Sequence, residues 1–208
     1  MLVLTNVALA QNYFEVGSKK YYFGCIQNDT SYAKIPESKL VKSRGIETIA
    51  NSISYDKFLP KAGNQEATGT CTSWATAYYT LSILYNITKI DLRQKNEFSP
   101  FFLYNNIKHR KDSSCEDGIS IEDALNFLKY KGCLPSKLYL SQCKINKDEN
   151  KKLWDIALSY RIKDFKRIGQ ENRIQRIKKA LNLKKAIVIS IKTPRSFVNS
   201  LNGDTWDG

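Results

Sequence analysis

From Cys71 to Tyr85 the chain carries no Gly and no Pro, and Trp74, Ala75, Tyr78, Leu81 and Tyr85 fall on one helical stripe. The interior of this segment is rich in Ala and Thr, with its aromatics facing one way. That is the pattern of a helix running through a core and not across a surface. At 208 residues and 42% hydrophobic content, the sequence can bury one substantial core and reads as globular, with at most one or two small domains. No stretch approaches the roughly 20 apolar residues of a membrane-spanning helix, so no integral membrane segment is expected.

Further elements can be placed around this helix. Ser99-Pro100 predicts a helix start, with Ser as N-cap and Pro in the first turn, carrying Phe102, Leu103 and Ile107. Another helix is expected over Asp123 to Lys131, closed by Gly132. A basic helical stretch contains Ile174, Ile177 and Leu181, and the β-branched run Ala186 to Ile191 after it predicts a buried strand. Ser52 to Leu59 alternates loosely and predicts a short strand, which Pro60 ends before the polar loop Lys61 to Gly69. Residues 11–51 show no sustained period and read as an extended arm or short pro-segment. There are no internal repeats.

The chemistry concentrates at the start of the core helix. Cys71 lies in its first turn, where unpaired N–H groups and the positive end of the helix favour thiolate over thiol, and the thiolate is the nucleophile. Gln65 stands six positions earlier. A tetrahedral intermediate on Cys71 would develop an oxyanion, which the Cys71 backbone N–H and the Gln65 amide could both serve. Gly69 allows close approach of the chain beside the nucleophile.

Asn64-Gln65 followed by Gly69-Thr70-Cys71-Thr72-Ser73-Trp74-Ala75 resembles the nucleophile segment of papain-family cysteine peptidases, in the style of bacterial members. Phe98-Ser99-Pro100, Cys115-Glu116-Asp117-Gly118 and Asp123 to Tyr139 resemble three further family stretches. The resemblance implies an α+β, papain-like fold: a helical half with a central nucleophile helix, plus an incomplete β half-domain, over residues 52–208. It implies a hydrolase acting on polypeptide substrates without a cofactor, with Cys71 as nucleophile and Gln65 as oxyanion donor. Gly118, Gly69 and Trp74 would line the substrate site, Gly118 offering its backbone although the family's second glycine is missing. Cys115 would be bridged within the helical half, to Cys143 or Cys133. Aligning on Trp74 instead would put Ser73 in the reactive position and make an inactive homologue; aligning on Gln65 keeps the glutamine-to-cysteine spacing and is preferred.

This chemistry also needs a histidine to pair with the thiolate and protonate the leaving amine, and an asparagine or aspartate to orient it. His109, the one histidine, follows Cys71 too soon and sits in a polar helix end, where it reads as solvated. The family's histidine lies roughly 130 to 150 residues after the cysteine, which projects to about positions 201 to 221. Thr193 to Trp206 resembles the stretch preceding that histidine, so the sequence is expected to be a fragment, inactive by itself. The alternative is a catalytically inactive papain-like domain that binds peptides or a protein partner.

Met1 to Ala10 is apolar apart from Thr5 and Asn6 and ends in Ala8-Leu9-Ala10, which reads as a signal peptide and predicts a secreted or periplasmic protein. Five cysteines leave four for up to two bridges if one is a reactive thiol. None has CxxC spacing, and no metal is expected. The formal net charge of +13 invites a polyanion-binding reading, but the basic residues are spread along the chain. They are densest between Lys144 and Lys185, where they alternate with apolar residues as on a solvated helix face. No specific nucleic-acid partner is expected.

Overall fold

The computed structural model describes residues 13–16, 18–39, 49–89, 91–139, 142–144 and 149–191. The segment read as a signal peptide and the stretch 193–206 lie outside the described residues. Two short sheets are present among those described. In the first, β1 (Tyr13–Val16) pairs antiparallel with β2 (Lys19–Tyr22), Tyr13 facing Tyr22. In the second, β3 (Cys25–Ile26) runs parallel to β4 (Ile119–Ser120), with Cys25 opposite Ile119.

The helices do most of the packing. α1 (Asp29–Lys34) is capped by Asn28, whose side chain accepts from Ser31 N at 3.0 Å. The core helix runs without a break through α2 (Cys71–Ser73), a π-helical segment (Trp74–Leu81) and α3 (Ser82–Ile87). Its widened middle coincides with a back-bond from Thr76 Oγ1 to Thr72 O at 2.8 Å, which competes with the regular i→i−4 ladder. α4 (Pro100–Ile107) has Ser99 as N-cap, accepting from Phe102 N at 3.1 Å, and Pro100 in its first turn. Its residues from Pro100 to Asn106 are buried on every side, so this helix is as central as the core helix.

α5 (Ile121–Tyr130) begins two residues before its expected start because Ser120 caps it, accepting from Asp123 N at 3.0 Å. Gly132 ends the segment at φ 74°, and a Cβ there would lie 1.9 Å from Ala157 O in α6 (Lys151–Leu158). α6 falls within the basic stretch read as a solvated helix face, and it sets Trp154 against Phe102 and Phe127, with ring centroids 5.1 and 5.9 Å apart. Tyr85, Phe98 and Tyr160 form a second aromatic cluster. Full burial of a side chain such as Phe102 or Leu128 contributes about 1.5–3 kcal/mol each.

Residues 13–39 are not an extended arm. Past β3, Ser38 N donates to Arg167 O and Arg167 N to Pro36 O, while Glu37 pairs with Arg167 at 3.0 Å and with Arg176 at 2.8 Å. Arg176 belongs to α7 (Arg173–Asn182), so the basic helix carries a buried anchor for the N-terminal segment as well as a solvated face.

Two expected strands are absent. Ser52 to Leu59 holds only a 3-10 turn at Asp56–Phe58, where Phe58 N bonds to Tyr55 O and Leu59 N to Asp56 O. Ala186 to Ile191 has no ladder partner among the described residues, and Ile189 and Ile191 are 71% and 63% exposed. β-branched residues favour a pleated surface only where a neighbouring strand supplies the hydrogen bonds and the packing.

Candidate active site

Cys71 is the first residue of the core helix and is half-buried. Ser73 is fully buried and donates its hydroxyl to Thr70 O at 2.8 Å. Of the two residues that the competing alignments place at the reactive position, Cys71 is therefore the accessible one. Burial pushes the Cys71 thiol above its ordinary value, and the presence of the Cys25 thiol adds to this. A backbone hydrogen bond from Gly24 and the hydroxyl and backbone of Thr72 act the other way, favouring the thiolate.

The loop before Cys71 is held by its own hydrogen bonds. Gln65 Nε2 donates to Thr68 O at 2.9 Å, Thr68 Oγ1 donates to Gln65 O at 2.6 Å, and the Thr68 and Thr70 hydroxyls lie 2.7 Å apart. Glu66 takes φ 53° within it, supported by Asn64 Oδ1, which accepts from Glu66 N at 2.8 Å. A primary amide has two N–H donors, of which Thr68 uses one on Gln65. Trp74 lies across Gly63, where a Cβ would come within 2.1 Å of the indole, and packs edge-on against Tyr78 at 4.7 Å.

Gly69 brings this loop onto the segment from Cys115 to Gly118. Its N–H donates to Cys115 O at 2.7 Å, and a Cβ on it would lie 2.5 Å from Glu116 O. Cys115 is bridged to Cys143, one of the two partners left open. Gly118 takes φ 83° and donates its N–H to Tyr104 Oη at 2.8 Å. The neighbouring residue, Ile119, makes the strand contact instead: its N–H donates to Gly24 O at 2.9 Å.

This contact belongs to a strap that sequence reasoning missed. Residues 23–26 pass beside the head of the core helix, with Gly24 wedged between two other glycines. A Cβ on Gly24 would lie 1.8 Å from Gly69 O, and one on Gly118 would lie 2.5 Å from Gly24 O. Thr72 Oγ1 lies 3.2 Å from Gly24 O and 3.1 Å from Ile119 O, tying strap and β4 to the residue after Cys71. The backbone of Gly69, Gly118 and Ile119 is thus already engaged by residues 23–26 of the same chain. His109 is exposed, and its Nδ1 accepts from Lys111 N at 3.3 Å instead of meeting Cys71.

No protein-family model and no curated protein matches the chain. Among solved structures it is similar to xylellain, a cysteine protease from Xylella fastidiosa, with a TM-score of 0.53 and 18% identity. The match covers 81% of this chain but 66% of the protease, just under two thirds of its length. With its helical core, short strands and half-buried cysteine at the head of the central helix, the chain shares the α+β fold of a bacterial cysteine protease.

Proposed function

We propose that the chain is the nucleophile-bearing part of a papain-like cysteine endopeptidase. Cys71 Sγ attacks the carbonyl carbon of a peptide bond. The Cys71 N–H and the second N–H of the Gln65 amide stabilise the oxyanion; collapse of the tetrahedral intermediate breaks the C–N bond and expels the amine, leaving a thioester acyl-enzyme that water then hydrolyses. The observation that carries this reading is the position of Cys71: first residue of the core helix, half-buried, beside a preformed loop holding Gln65. The fold likeness supports it. The proton for the leaving amine calls for an imidazole, a role that the exposed His109 does not fill, its Nδ1 being engaged by Lys111 N. A disulfide and the absence, among the described residues, of a helix long and apolar enough to cross a membrane fit a secreted or periplasmic setting.

One observation favours a second reading, a papain-like domain that binds peptides without cleaving them: burial raises the Cys71 thiol where an activated nucleophile would have it lowered. Alkylation of the natural full-length protein with iodoacetamide at mildly acidic pH separates the two. Fast modification at Cys71, together with peptide hydrolysis abolished by Cys71→Ala, is expected of the peptidase. Modification no faster than that of an ordinary thiol, with no hydrolysis, leaves the binding domain.

A further inference from the structure

Cys25 is a free cysteine in the strap, half-buried, and the proposed reaction has no use for it. Its placement is tightly fixed. Its neighbour Gly24 accepts through its carbonyl from the hydroxyl of Thr72, the residue after Cys71, at 3.2 Å, and the same hydroxyl lies 3.1 Å from Ile119 O. Only about 3.8 Å of chain, one Cα-to-Cα step, separates Gly24 from Cys25. Cys25 itself is held in register with Ile119, and its Sγ lies 3.4 Å from Ser190 Oγ. On one flank of the strap stands the β1–β2 hairpin, and on the other Glu37 is clamped by Arg167 and Arg176. The strap, with both ends anchored, therefore carries a second thiol one residue from its contact with Thr72, which itself follows Cys71.

We propose that Cys25 and Cys71 form a reversible disulfide that locks residues 23–26 over the nucleophile, made and broken by exchange with a low-molecular-weight disulfide such as oxidised glutathione. The Cys71 thiolate attacks one glutathione sulfur and releases one glutathione thiolate, leaving a mixed disulfide on Cys71. Cys25 then loses its proton to solvent and attacks Cys71 Sγ, releasing the second glutathione thiolate. The two cysteines lose two electrons in all, and one oxidised glutathione becomes two glutathione thiols. Cys133 is fully buried and takes no part. The lock rests on the peptidase reading for its purpose, since it would hold that nucleophile inactive, but not for its chemistry.

The test incubates the full chain with oxidised glutathione and maps its disulfides by mass spectrometry of non-reduced tryptic peptides, alongside the iodoacetamide reactivity of Cys71. A peptide pair joining Cys25 to Cys71 is expected, with Cys71 alkylation slowed by about tenfold or more and restored by dithiothreitol. In Cys25→Ser, glutathione should remain attached to Cys71. Glutathione on Cys71 of the unmodified sequence with Cys25 still free, a bridge to Cys133, or two unreacted thiols would each overturn the proposal. The mapping needs no activity: a Cys25–Cys71 bridge in a natural full-length protein that hydrolyses no peptide even after the bridge is reduced would refute the peptidase reading alone.

Discussion

Tyr104 donates its hydroxyl to Asp112 Oδ2 at 2.8 Å, with both residues buried. The same hydroxyl accepts from Gly118 N, and Asp112 Oδ1 accepts from Glu116 N at 2.9 Å, so the pair shapes the loop facing Gly69 and Gly24. Tyr104→Phe would strand a buried carboxylate oxygen and a backbone N–H while leaving the ring packing intact. A loss of about 2 kcal/mol is expected, read as a lower urea midpoint at unchanged m-value. An unchanged midpoint would mean that water or a shifted loop satisfies both groups.

The Cys115–Cys143 bridge closes a separation of 28 residues and carries Lys108 against it, whose ammonium lies 3.2 Å from Cys115 Sγ and 3.1 Å from Cys143 Sγ. Burial pushes the Lys108 amine below its ordinary value, while Asp112 opposes this. The loop-entropy relation gives the bridge about 3.5 kcal/mol. Cys143→Ser should therefore lower stability by roughly that much. Dithiothreitol should then have little further effect on the variant while destabilising the unmodified protein, as thermal unfolding would show.

Glu37 accepts from two arginines, one of them, Arg176, with its side chain only 10% exposed. Removing the carboxylate by Glu37→Ala leaves that guanidinium nearly buried and unpaired, although Glu37 itself is partly solvated. A cost of about 1–3 kcal/mol is expected after allowing for screening. Because the ion pair holds the chain just beyond the strap, limited proteolysis should cut residues 27–38 faster in the variant. Equal cleavage rates would show that β3 and α1 dock without it.

The helical half was legible in the sequence because its signals are local. Ser99-Pro100 caps α4, Gly132 ends the α5 segment, and the stripe from Trp74 to Tyr85 marks the core helix. The strap, the Glu37 anchor and the Tyr104–Asp112 pair were not legible, because each joins residues that lie far apart or whose partners no spacing rule connects. The Gly17-Ser18 pair between two aromatic runs was an available sign of the β1–β2 hairpin. The run Ala186 to Ile191 misled for the converse reason: propensity was present, but no partner strand lies beside it among the described residues. At the site, the spacing from Gln65 to Cys71 located the loop. It could not reveal that the amide donates to Thr68 or that Gly24 packs between Gly69 and Gly118.

Stability should decline on the alkaline side. Burial raises the Cys133 thiol far above its ordinary value, with smaller opposing effects from the Leu134 and Ser99 backbones. Burial also raises Cys71 and the Tyr104 hydroxyl, the latter reinforced by its bond to Asp112. In the unfolded chain these thiols lose their protons near pH 8.5, while the folded protein still holds them. Above that pH the folded state binds more protons than the unfolded one, so each unit of pH rise favours unfolding. The stabilising contribution is complete below about pH 8.5 and disappears progressively as pH climbs toward the folded values. The urea midpoint, measured in reductant across the alkaline range, should fall steadily from that point. Cys133→Ala should lower the midpoint at neutral pH, because it opens a small cavity, and flatten the alkaline decline, because the most strongly shifted thiol is gone. A decline of the same slope in the variant would move the effect to Tyr104 and Cys71, and a midpoint that rises with pH would contradict the buried-thiol account altogether.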